Sequence, residues 1–235
     1  MDSAVSIIGQ AFGLILDADA ALVEIVGLSL RVTITAVVFA CLIGFPVGAV
    51  VGASRFPGRG AVVVAMNALM GLPPVVVGLM VYLMLSASGP LGVLGLLYTP
   101  TAMIIAQTVL VCPIVAALAR QTVEDLNAEY ADEFAALRLP MDQRVKALLW
   151  DGRFALLTVA LAGFGRAVAE VGAVIIVGGN INHVTRVMTT TIALETSKGN
   201  LELALALGII LLLIAFLVNA AVMSIRGASR QVAHA

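Results

Sequence analysis

Two charges sit where an apolar chain has most reason to exclude them. Arg166 and Glu170 fall within GFGRAVAEVGAVIIVGGN, four residues apart and otherwise surrounded by aliphatic and glycine residues. On a helix that spacing puts both on one face, within reach of an ion pair. Charges at membrane depth are costly and face a protein interior or a watery path. Two readings follow: a gate or path element whose pairing changes with conformation, or a static pair that fixes packing. Gly163, Gly165 and Gly172 flank the pair and allow a neighbouring helix to approach closely. Just beyond lie Gly178, Gly179 and Asn180, then Thr189–Thr191, whose amides and hydroxyls could serve an anion or form an ordinary turn and helix start.

Other chemistry is not legible. The chain has no HExxH, GxSxG or GxxxxGK[ST] pattern, so neither hydrolysis nor ATP cleavage has a motif, and no catalytic residue is assigned. Two histidines, His183 and His234, are too few for a histidine-based metal site. Cys41 and Cys112 lie inside apolar runs and read as small hydrophobes.

The elements that must position these residues are membrane helices. Of 235 residues, 61% are hydrophobic and 11% charged, with a mean hydropathy of +1.11. Soluble domains carry about 25% charged residues, so this chain lacks the polar surface to fold in water. Its net charge of −1 and lack of a basic cluster argue against nucleic acid. Apolar stretches predict five spans at about 32–52, 61–85, 101–119, 154–177 and 201–223. Residues 3–16 are too short to cross and predict an interfacial helix. Pro46 and Gly44 predict a kink or close packing in the first span, and Pro73-Pro74 a break in the second. The segment 178–200 reads as a loop with a short helix around 188–197.

Between the third and fourth spans lies a polar island, 120–153, holding 12 of the 27 charged residues. Val123, Leu126, Tyr130, Phe134 and Leu137 make one apolar stripe, predicting a helix that ends near Leu139, before Pro140. Asp142 is placed to cap a second helix with Val145, Leu148 and Leu149 on its apolar side. Nine lysines and arginines fall on the side of this island and of the tail with Arg226 and Arg230, against three on the other. That bias predicts the island and C-terminus in the cytoplasm and the N-terminus outside. No internal repeat suggests a complete secondary carrier, so five spans and one island predict half of a pore.

The island's EFAALRLP resembles the cytoplasmic EAA loop of ABC importer permeases, which docks into the ATPase subunit. The match is offset: Phe134 stands at the family's glutamate with Glu133 one residue early, and Pro140 stands at its glycine. The resemblance implies coupling roles for Glu133, Ala135, Ala136, Leu139, Pro140, Met141 and Asp142. A broader likeness covers nearly the whole chain. SLRVTITA, GLPPVVVGLMVYLMLSASGPLG, LLYTPTAMIIAQ, GFGRAVAEVGAVIIVGGNI and TRVMTTTIALETSKGNLELALALGIIL resemble the tungstate-type oxyanion permeases, relatives of the molybdate and sulfate permeases.

That resemblance implies an all-α, type I ABC importer permease fold in the cytoplasmic (inner) membrane. Residues 1–235 would form a single permease domain, with 120–153 the coupling loop and 178–200 extracytoplasmic. It further implies a homodimer, a separate ATPase subunit holding ATP and magnesium, and an extracytoplasmic oxyanion-binding protein. The chain itself would bind no cofactor or metal. Arg166, Glu170, Gly179 and Asn180 become the expected path or gate. Molybdate or sulfate remain alternative substrates. An ATP-independent channel or carrier, or a scaffold without transport, are the readings from other classes.

Overall fold

A computed structural model describes residues 2–17 and 19–233, with side chains for 7–17, 19–221, 223 and 224. His234 and the side chains of Arg226 and Arg230, counted above for orientation, lie outside the described residues. The described chain is all-α. Its helices are α1 (Asp2–Leu16), α2 (Ala20–Ala53), α3 (Arg59–Met70), α4 (Pro74–Leu85), α5 (Pro100–Glu129), α6 (Ala131–Ala136), α7 (Met141–Asp151), α8 (Arg153–Val168), α9 (Gly172–Gly178), α10 (Met188–Lys198) and α11 (Leu201–Ala233). A single 3-10 turn, Gly92–Leu94, interrupts the connection from α4 to α5.

Three stretches are long and apolar enough to cross a bilayer unaided: α2, α5 and Leu201–Ala221 of α11. Two bent pairs, α3 with α4 and α7 with α8, would bring the number to five if each is one span. The chain is thus a multi-pass membrane protein with three to five spans against the five expected, and their limits shift. The first begins at Ala20 rather than near residue 32, because Leu22, Ile25, Ser29 and Val32 are buried at helical spacing. Its 34 residues reach about 50 Å at 1.5 Å per residue, well beyond a core about 30 Å thick. Pro46 lies within this continuous helix. The second span breaks where expected, with Pro73 extended ahead of Pro74 and Pro74 opening α4. The fourth is not one helix: α8 stops at Val168 and α9 starts at Gly172.

The chain forms two compact units. The first comprises Met1–Ala36, Pro73–Gln107 and Arg166–Leu217. Within it α4 packs on α9 so closely that a Cβ at Gly78 would stand 2.7 Å from the Ala173 Cα. Val77, Val81, Val174 and Val177 fill this core.

The second comprises Val37–Leu72, Thr108–Gly165 and Val218–Ala235. Here Gly44, Gly48 and Gly52 repeat every four residues and lay one face of α2 against Val115–Val123 of α5. Small residues at this spacing let helix backbones meet where lipid supplies no hydrophobic drive. At Gly48 a Cβ would stand 2.5 Å from the Ala116 carbonyl oxygen and 2.9 Å from the Arg120 amide, so the backbones would have to part.

Gly48→Ala should therefore cost about 1–3 kcal/mol and lower the unfolding midpoint in detergent by several degrees. Gly27, also in α2, has open space at its Cβ position, and Gly27→Ala should leave the midpoint unchanged or raise it. Equal midpoints for the two variants would refute close packing at Gly48.

Candidate functional site

The polar island folds on its own small core. Val123, Phe134 and Leu148 are buried together with Ala49 and Ala53, and Leu126, Tyr130, Leu139, Val145 and Leu149 pack around them. The expected single helix ending near Leu139 is instead two: α5 ends at Glu129 and α6 runs only from Ala131 to Ala136. Tyr130 marks the break, and its hydroxyl donates to Asp151 Oδ2 at 2.7 Å, tying the end of α5 to the end of α7. That hydrogen bond, reinforced by the carboxylate charge, raises the Tyr130 pKa above its ordinary value.

The end of α6 decides which leucine is hidden. Leu137 closes the helix and Arg138 takes a left-handed backbone at φ 48°. The Arg138 amide bonds Ala135 O at 3.2 Å and the Leu139 amide bonds Phe134 O at 3.3 Å. This is a Schellman turn with arginine where glycine is usual. The turn throws Leu137 outward, 68% exposed, and folds Leu139 back against Phe134. The stripe placed Leu137 inside, and the structure corrects it. Arg144 covers the Phe134 ring at 5.0 Å.

Of the expected coupling residues, Glu133, Ala135, Ala136, Pro140, Met141 and Asp142 are exposed, and Leu139 is half-buried. Asp142 does not cap α7: Pro140 occupies the N-cap position and no side chain bonds the end. Asp142 lies in the first turn, where its charge suits the helix dipole.

Two features of the island escaped the sequence reading. Glu124 is a charge hub, bound by Arg120 and, at 2.9 Å, by Arg59 from the α2–α3 connector. The Arg120 spacing of four was a readable signal; Arg59 was not. Between α5 and α8 an open cleft of about 740 Å³ carries Asp125 and Arg153 among its walls. Arg153 stacks on Trp150 and Phe154 at 5.1 and 4.7 Å.

The second constellation, in the other unit, surrounds the break between α8 and α9. Arg166 Nη1 donates to Glu170 Oε2 at 3.0 Å, so the ion pair forms. It does so across the end of α8, not along a continuous helix. Glu170 is 5% exposed while the Arg166 side chain is 42% exposed. Glu170 Oε1 accepts the Ala173 amide at 3.2 Å, satisfying one of the first donors of α9. Carbonyls at the break also accept from other helices, Ala167 O in addition to the Glu170 amide. Gln107 Nε2 of α5 donates to Ala167 O at 3.1 Å, and Thr189 Oγ1 of α10 donates to Glu170 O at 2.8 Å. Neither role was read from the sequence, although a lone glutamine in an apolar run was a cue.

Gly179 and Asn180 form a left-handed turn after α9, at φ 69° and 51°. The Tyr98 ring lies 2.9 Å from where a Cβ of Gly179 would stand. Asn180 is joined to α10, its Oδ1 accepting from Thr190 Oγ1 at 2.9 Å. Thr189, Thr190 and Thr191 are all buried, and their hydroxyls donate to protein carbonyls and to Asn180. At the other end of α10, Glu195 accepts from Lys198 at 2.9 Å and Asn200 at 3.0 Å. The Lys198 bond, aided by Asn200 and opposed by burial, holds the Glu195 pKa below the ordinary carboxylate value. This clamp thus persists until pH falls through that lowered pKa. Cys41 and Cys112 are unpaired thiols, half-buried. Among the described residues no three of His, Cys, Asp and Glu come together as a metal-ligand group.

Comparison with known proteins covers most of this chain, although no protein-family profile matches it. It is 40% identical over 204 residues to a probable anion ABC transporter permease protein of Haloferax volcanii, spanning 85% of this chain and 88% of the relative. It is 38% identical over 216 residues to the tungstate uptake system permease protein TupB of Peptoclostridium acidaminophilum, spanning 92% and 95%. A 43% identity over 150 residues links it to the TupB protein of Campylobacter jejuni, spanning 64% and 63%.

The Schellman turn carries its own test. Arg138→Gly removes the strain of a left-handed arginine and should slow amide exchange across 134–141 by about two- to five-fold. Faster exchange, read by hydrogen–deuterium mass spectrometry, would show that the turn depends on the arginine side chain instead.

Proposed function

The chain belongs to the anion ABC transporter permeases, and on that premise we propose that it is the membrane subunit of a tungstate importer. Its likeness to a tungstate uptake permease over 92% of the chain carries the substrate assignment. Two copies would form the path, powered by a separate ATPase subunit that holds ATP and magnesium. An extracytoplasmic oxyanion-binding protein would deliver the anion beside the 178–200 segment. The chain would sit in the cytoplasmic membrane, and the basic-residue bias supports an orientation with the island inside and the N-terminus outside.

The exposed surface of the island is the ATPase contact in this reading. Ala135, Ala136, Leu137 and Met141 give it an apolar patch beside Glu133 and Asp142. Its core and Schellman turn make it stiff enough to pass motion on rather than absorb it. The path contact is Arg166. A half-exposed guanidinium can attract an oxyanion, and Glu170, bonded to it at 3.0 Å, weakens that attraction enough for release. Gly179 and Asn180 contribute as a fixed turn near the entrance, since the neighbouring hydroxyls already have partners.

The direct test is cellular tungsten at low external tungstate, measured by mass spectrometry with and without the gene, with molybdate and sulfate as competitors. Tungsten should fall on deletion and neither competitor should matter. Lost molybdenum or sulfate uptake with unchanged tungsten would overturn the substrate and keep the architecture.

Two variants test the mechanism. Ala135→Glu with Ala136→Glu should leave the chain in the membrane but weaken capture of its ATPase by roughly tenfold or more. Normal co-purification would refute the docking surface. Glu170→Gln should preserve assembly yet reduce uptake by roughly tenfold or more; unchanged uptake would reduce the Arg166–Glu170 pair to packing.

A further inference from the structure

We infer that the break between α8 and α9 is closed by one bound water, held by Gln107 in a cavity of its own. The cavity measures about 10 Å³, the space a single water needs, and Ser29, Thr33, Gln107, Glu170, Met188 and Thr189 contribute to its wall. It belongs wholly to the first compact unit and its existence does not depend on the transport assignment.

Gln107 supplies the reason. It is 4% exposed, and its Nε2 is committed to Ala167 O, which fixes the orientation of the amide. Its Oε1 is buried with no protein donor. Buried acceptors are almost always paired, because leaving one dry forfeits its hydration without return. None of the neighbouring hydroxyls bonds it. Ser29 Oγ donates to Ile25 O at 2.6 Å and accepts the Met188 amide at 2.7 Å. Thr189 Oγ1 gives its proton to Glu170 O. Glu170 is an acceptor whose charge Arg166 already balances, so the cavity does not call for a cation. What fits is a small neutral molecule that brings protons for Gln107. Water is that molecule. It adds α5 to the break a second time, beyond the direct bond to Ala167.

Radiolytic footprinting reads such a site, because hydroxyl radicals formed from a bound water oxidise side chains beside it. Met188 lines the cavity and is 1% exposed; Met103 is 0% exposed and is not part of that wall. In the intact chain in lipid nanodiscs, Met188 should be oxidised several-fold faster than Met103. Gln107→Leu should bring Met188 down to the Met103 rate. Equal rates in the unmodified chain would overturn the inference, as would an unchanged Met188 rate in a folded Gln107→Leu variant. If that variant does not fold, the comparison of the two methionines decides the matter.

Discussion

Wherever a helix stops inside an apolar protein, its freed carbonyls and amides must find partners, because lipid offers none. The break at 169–171 shows what that demand shapes. Ala167 O accepts the Glu170 amide and also the Gln107 side chain of α5, and Glu170 O accepts the Thr189 hydroxyl of α10. Glu170 turns its carboxylate both to the Ala173 amide and to Arg166. The ion pair is therefore one strand of a knot that also holds α9 and α10 in place. Changing the pair would change the hydrogen bonding of the break, which is why a charged pair here can act as more than packing.

The island solves a different problem. It is too polar to enter the bilayer and too short to have a large core, yet it must keep a defined surface. A cluster around Phe134 and Leu148, one tyrosine–aspartate bond and one Schellman turn accomplish this. The turn shapes the exposed surface, because a left-handed residue at 138 decides that Leu137 faces outward and Leu139 inward. Stiffness and display come from the same few residues.

Both compact units use glycine for close approach. Gly44, Gly48 and Gly52 set α2 against α5, and Gly78 sets α4 against α9. Dispersion between backbones in van der Waals contact replaces the hydrophobic effect that a soluble core would use.

The sequence alone determined the membrane class, the break at Pro73-Pro74, the helix at about 188–197 and the Arg166–Glu170 pair. Each rests on composition or on contacts within a turn or two, which periodicity and proline stereochemistry fix locally. The end of α8, the reversal of Leu137 and Leu139, the uncapped start of α7 and the hub at Glu124 needed the tertiary structure. A helix carried through 154–177 in the sequence reading because its residues are apolar throughout, yet it stops at Val168. The partners of that stop are Gln107, 60 residues from Ala167, and Thr189, 19 residues from Glu170. Ser29 meets Met188 across 159 residues. Pairings at such distances leave no periodic trace in the chain, so only packing could decide them.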